Sequence, residues 1–246
     1  MSLETEKVSG SFLFHLVELR KALFKACLGL IVGFAICAYF SKELYNLLAL
    51  PLLKVLPKGS YFIATHPFEA WLTYIKAALI FGFFLALPYI LWQFWQFTAP
   101  GLYKHEKKYA LLFVFLTSFF FICGAIFGYY FVFPYAFEFF TGILKDTNIT
   151  FLPQMNEYLG FAFKMLLAFG IIFEVPILVT ALSFTGLVSV KQFVSFQKYM
   201  IVIAFVVAAI LTPPDVLTQI MMGIPIVLLY EVGLLFAWMV ERKKKD

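Results

Sequence analysis

Apolar residues gather into six long runs along the chain, and most charged residues fall between them. A helix needs roughly 20 mostly apolar residues to cross ~30 Å of hydrocarbon. The runs predict membrane spans at 22–40, 70–97, 109–133, 158–184, 192–211 and 216–240. Leu, Phe, Ile and Val continue through them without the alternating polar positions that a barrel lumen requires, so the expected class is all-α. Ahead of the first run, 1–21 is polar to amphipathic, with Leu13, Leu16 and Leu19 or Leu23 at helical spacing. That segment is expected to lie along the membrane surface before the chain turns in. Between the first two spans, Pro51, Pro57, Gly59 and Pro67 mark an extramembrane segment, and 44–56 reads as a short helix within it. Pro88 interrupts the second span, and Pro134 is expected to end the third. The fifth run is fully apolar only over 199–211, or ~20 Å of helix, which predicts a thinned bilayer beside it.

The most sharply marked polar hinge is 94–108, FWQFTAPGLYKHEKK, between the second and third spans. Pro100-Gly101 cannot continue a helix and supplies a tight turn. Lys104, Lys107 and Lys108 hold that loop in water, with the carboxylate of Glu106 among them.

Composition agrees with the pattern: 63% of the 246 residues are hydrophobic and 13% charged, and the mean hydropathy is +0.93. These values lie far outside the soluble globular range. A single membrane domain over 1–246 is expected, closed by a basic tail at 241–246. Six spans place both termini on one side, where thirteen of the 19 basic residues also fall, which puts the termini in the cytoplasm. Cys27, Cys37 and Cys123 lie inside apolar runs and read as packing residues. No cleavable signal is expected, because Glu4, Glu6 and Lys7 precede any apolar core. His15, His66 and His105 stand on separate segments, and no HExxH, GxSxG or GxxxxGK[ST] occurs. Neither an enzyme nor a metal or nucleotide cofactor is expected, and no nucleic-acid partner.

The informative residues are charges where charge is costly. Glu174 sits near the middle of the fourth run, where an ionised carboxylate costs at least ~2.5–3.5 kcal/mol. It must face protein, water or a partner. Pro176 removes a backbone hydrogen bond two residues on, which predicts a bend beside the carboxylate. A protonated Glu174 clipping two spans together is the plainer alternative. Lys164, ten residues earlier, is ~15 Å away along the helix and cannot pair with it. Glu231, inside the sixth run, reads equally as structural or functional. Asp215, after Pro213-Pro214, reads as a helix cap or as a functional group. Glu18 and Glu106 lie among Lys and Arg at one membrane face. Each either neutralises neighbours such as Arg20, Lys21 or Lys104, or the two clamp a dication, arginine being the side chain suited to bidentate carboxylate pairing.

Four separated motifs carry a resemblance: His15-Leu16-Val17-Glu18-Leu19-Arg20, the stretch from Phe97 through Pro100 and Leu102 to Glu106, Phe169 to Pro176, and Leu211-Thr212-Pro213-Pro214-Asp215. In this order they resemble the TatC family of twin-arginine protein translocases over essentially the whole chain. The resemblance implies an all-α polytopic membrane protein, six transmembrane helices in a single concave bundle with both termini cytoplasmic, in a prokaryotic inner membrane. It implies a receptor for folded proteins whose signal peptides carry two consecutive arginines. Glu18 and Glu106 would hold the arginine pair, with Arg20, Phe97, Pro100 and Leu102 around them. Glu174 and Pro176 would open onto a lipid-facing pocket, with Glu231 and Asp215 as secondary positions. Single-span TatA- and TatB-type partners would join it in an oligomeric translocase driven by the proton-motive force. Ala22 departs from the pattern, standing where many relatives carry a second basic residue. The rival reading from the residues is a proton-coupled small-solute transporter using Glu174 and Glu231 as a relay, against which the lack of evident internal repeats counts.

Overall fold

A computed structural model describes residues 2–56, 60–98, 110–144, 151–212 and 216–245. The described residues are helical, with no strand beyond one isolated bridge between Ile63 and Gln154. In chain order the helices are α1 (Ser2–Tyr39), α2 (Ser41–Val55), α3 (Glu69–Thr98), α4 (Ala110–Phe127), α5 (Phe133–Leu144), α6 (Met155–Phe173), α7 (Val175–Phe184), α8 (Val190–Leu211) and α9 (Val216–Lys245). A π-helical turn, Gly128–Val132, joins α4 to α5. Six stretches are long and apolar enough to cross a bilayer: Leu16–Tyr39, Glu69–Phe97, Leu111–Ile143, Met155–Phe184, Val190–Leu211 and Thr218–Arg242.

Two expectations about helix ends need correction. The amphipathic 1–21 segment does not turn before the first span, because α1 is one continuous 38-residue helix. No proline interrupts it. Pro134 does not end the third span. It lacks the N–H for a normal i→i−4 bond, and its ring would crowd the carbonyl one turn earlier. The π turn widens the spiral just before it, so that Phe133 N–H reaches the Gly128 carbonyl five residues back. The apolar helix therefore carries on through Leu144.

The chain forms two compact units. The first comprises Met1–Tyr45 and Trp71–Ser118. Its tightest point is the α1–α3 crossing, where a Cβ on Gly33 would stand 2.5 Å from the Gly82 carbonyl oxygen. Glycine at both positions lets the two backbones touch, as small residues do between membrane helices. Trp95 and Phe113 pack at a ring-centroid distance of 5.3 Å, joining α3 to α4. Cys37 is buried in α1, as a packing residue would be, whereas Cys27 is exposed.

The second unit comprises Asn46–Ala70 and Phe119–Asp246. Phenylalanines fill it: Phe127 meets Phe169 at 5.8 Å and Phe173 at 5.4 Å, and Phe137 meets Phe161 at 5.8 Å. Pro51 inside α2 leaves the Leu47 carbonyl without its helical donor, and the Tyr129 hydroxyl donates to it at 2.5 Å. Tyr158 donates likewise to the Leu48 carbonyl at 2.7 Å. Two tyrosines from the spans thus hold the short helix. The loop ahead of α3 is tied to the start of α6, with Ile63 N–H donating to the Pro153 carbonyl at 3.0 Å and Met155 N–H to the Ile63 carbonyl at 3.1 Å. Beside that bridge the buried Glu69 carboxylate accepts from Thr65 N–H, the Thr65 hydroxyl at 2.8 Å, His66 N–H at 3.3 Å and Asn156 N–H at 3.2 Å. These donors satisfy a charge that would otherwise be costly to bury.

Candidate functional site

Glu174 stands alone between α6 and α7, outside the regular spiral of both. Pro176 causes the break. With no proline N–H to extend the i→i−4 ladder, Glu174 N–H turns back to the Ile171 carbonyl at 3.0 Å and α7 starts afresh, the Glu174 carbonyl accepting from Leu178 N–H at 2.9 Å. The sequence predicted this bend. The side chain is half-buried, and its Oε1 is enclosed with no hydrogen-bond partner among the described residues. It lies in Met155–Phe184, the most enclosed of the six spans with 50% of its apolar window buried, against 11% for Val190–Leu211. The intramolecular clip is therefore absent among the described residues, and Lys164 is exposed. An enclosed carboxyl oxygen in an apolar span has strong capacity to accept a donor supplied from outside.

Pro176 is buried against α9. A Cβ on Gly233 would lie 2.9 Å from the Pro176 Cα, so the glycine is what admits the kinked backbone. Two residues away along α9, Glu231 has a partner the sequence reading missed: Gln197 of α8 donates its amide to Glu231 Oε1 at 2.6 Å. Further contacts repeat this along the α8–α9 hairpin. The Tyr230 hydroxyl donates to the Phe193 carbonyl at 2.8 Å, and the Gln219 amide to the Phe205 carbonyl at 3.1 Å. Glu231 thus links the last two spans through a side-chain hydrogen bond. Its pairing was findable from spacing, because Gln197 lies 14 residues before the end of α8 at Leu211 and Glu231 lies 15 after the start of α9 at Val216. Equal rises of 1.5 Å per residue in an antiparallel hairpin bring those positions to one depth.

The remaining candidates divide. Glu18 and Arg20 sit on α1, Glu18 half-buried and Arg20 exposed, among exposed Leu16, Val17 and Leu19. Phe97 lies in the last turn of α3, where the helix runs into the 94–108 hinge stretch. Pro100, Leu102, Glu106 and Asp215 lie outside the described residues. Among the described residues no group of three or more His, Cys, Asp or Glu is placed to hold a metal.

The comparisons with known proteins concern the whole chain. A family model described as Sec-independent protein translocase protein (TatC) matches residues 14–225. The Sec-independent protein translocase protein TatC of Desulforapulum autotrophicum is 47% identical over 246 residues, all of this chain and 90% of the relative. That of Escherichia coli strain K12 is 38% identical over 223 residues, 91% of this chain and 86% of the relative. A crystal structure of a twin-arginine translocase receptor, TatC, superposes with a TM-score of 0.79 at 38% identity, covering 92% of this chain and 99% of that one. A six-span helical chain that matches a TatC relative over its full length and a TatC structure over 92% of it is a multi-pass membrane protein and not an enzyme, and it belongs to the TatC family of Sec-independent protein translocases.

Proposed function

We propose that this chain is the receptor subunit of a twin-arginine translocase in a prokaryotic inner membrane, binding the signal peptides of folded proteins at its cytoplasmic face. The observation that carries the reading is its likeness, over 92% of its length, to a structure described as a twin-arginine translocase receptor. Both termini are cytoplasmic in this proposal, following the distribution of basic residues. Glu18 and Glu106 receive the two guanidinium groups, while Phe97, Pro100 and Leu102 line the approach and Arg20 balances the carboxylates. The apolar core of the signal enters lipid, and export draws on the proton-motive force.

The test is a titration of the purified chain with a twin-arginine signal peptide and its Lys-Lys variant. Lysine keeps the charge and loses the planar fork, so weaker binding of the Lys-Lys peptide is expected. Equal affinity for both would remove the bidentate argument.

Glu174 serves partner assembly. Its unmet acceptor in the apolar span is matched by a polar side chain of a TatA- or TatB-type single-span helix, each group finding in the other what lipid cannot supply. Glu174→Ala is expected to weaken co-purification of the single-span partner roughly three- to twentyfold, the range for interhelical hydrogen bonds in membranes. Signal-peptide affinity should be unchanged. Lost peptide binding with intact assembly would reverse the assignment.

A further inference from the structure

Within the first unit, one face of α1 carries two hollows, one after the other along the helix. The upper one, about 400 Å³, is lined by Val17, Arg20, Lys21, Phe24 and Lys25. The lower one, about 310 Å³, is apolar and runs between α1 and α3 along Leu28, Gly29, Val32, Ile36 and Tyr89. Lys21, Lys25, Leu28, Val32 and Ile36 recur every three or four residues, so a single stripe of the helix leads from the lysines into the groove. Both lysine side chains are exposed, and no ion pair engages them among the described residues.

Glycine shapes the groove. At Gly29 a Cβ would stand 2.5 Å from the Tyr89 ring, so the absence of a side chain is what lets that ring lie against α1 and form the wall. Dimension sets the occupant. From Lys25 to Ile36 is eleven residues, ~16 Å of helix, or about half the length of a ~30 Å hydrocarbon core. A transmembrane partner helix would need a groove about twice as long. Charge decides the rest, since two exposed ammonium groups at the mouth of a short apolar slot complement a phosphate joined to an acyl chain.

We propose that this stripe of α1 is a binding site for an anionic phospholipid, its phosphate held by Lys21 and Lys25 and one acyl chain lying in the α1–α3 groove against Gly29, Val32 and Tyr89. The site adjoins the proposed signal-peptide site, with Arg20 lining its upper hollow, and it retains lipid at the helix that carries Glu18.

The experiment is native mass spectrometry of the full chain released from micelles holding equimolar phosphatidylglycerol and phosphatidylcholine of the same acyl composition. Phosphatidylglycerol should be retained over phosphatidylcholine by roughly thirtyfold, the order expected for two lysines near the headgroup. Lys21→Gln/Lys25→Gln should reduce that preference to near unity. Val32→Trp, which fills the groove at an exposed position and leaves the charge intact, should reduce retention of the lipid. Thermal unfolding of both variants in lipid-free detergent should match the parent chain, so that a folding defect is not mistaken for a lost site. Soluble glycerol 3-phosphate should not displace the lipid. Equal retention of the two lipids, a preference that survives the lysine substitutions, displacement by glycerol 3-phosphate, or a second copy of the chain released by Val32→Trp would each overturn the proposal.

Discussion

Replacing Glu18 and Glu106 together by alanine is expected to weaken binding of a twin-arginine peptide by about 10²- to 10⁴-fold while leaving the fold intact. Each carboxylate offers an arginine a charge-assisted pair, and such hydrogen bonds are worth roughly 1.5–3 kcal/mol apiece. Removal of both also leaves the guanidinium groups facing a net positive surface, since Lys21 and Lys25 follow Glu18 on α1 and Lys104, Lys107 and Lys108 surround Glu106. A titration with labelled peptide in detergent reads the loss directly. Because the interaction lies at the aqueous face, rising salt should weaken binding to the parent chain and have little effect on the double variant. Wild-type affinity in the double variant would show that the arginine pair is held elsewhere.

Gly124→Val should prevent the second unit from packing. A Cβ at this position in α4 would fall 2.3 Å from the Phe169 carbonyl oxygen and 2.8 Å from its carbon, both backbone atoms that cannot rotate away. Gly170 stands in the same crossing, where a Cβ would meet the Phe121 ring at 2.6 Å. Relief requires α4 and α6 to separate, which breaks the contacts of Phe127 with Phe169 and Phe173. Overpacking in a close-packed interior costs about 1–3 kcal/mol when side chains can adjust, and a backbone obstacle should place the cost at or beyond the upper end. Thermal unfolding in detergent measures it. Gly142→Ala is the control, since nothing lies within 4 Å of its added Cβ. There the alanine should be neutral or slightly stabilising, because glycine in a helix costs roughly 0.5–1 kcal/mol relative to alanine.

How much of this was legible in the sequence differs from residue to residue. Glu174 could be singled out because the cost of a carboxylate in hydrocarbon depends only on its depth in the run. The break beside it followed from Pro176, whose missing N–H acts within one turn of the same helix. Pro134 offered the same signal and gave the opposite outcome. A proline lacks a donor wherever it stands, but whether the helix stops or widens into a π turn depends on what packs around it. Gly128, inside that turn, lies against the Phe169 ring, where a Cβ would come within 2.9 Å. Gln197 was passed over because an uncharged amide near the polar end of a span carries little penalty of its own. Only its 2.6 Å contact with Glu231 gives it a role.

The sequence by itself determined the six spans, their all-helical class and the position of the enclosed carboxylate. All of these are local consequences of transfer cost and of backbone chemistry along one strand of chain. Only the tertiary structure decided that Glu231 is engaged by Gln197, that Glu174 Oε1 has no partner among the described residues, that Tyr129 satisfies the carbonyl freed by Pro51, and that Gly33, Gly124 and Gly233 are points of backbone approach. These depend on rotation and register between helices distant in sequence. In a chain whose apolar residues surround every span, the hydrophobic pattern places each helix in the membrane but leaves its facing neighbours to close packing and the pairing of its few polar groups.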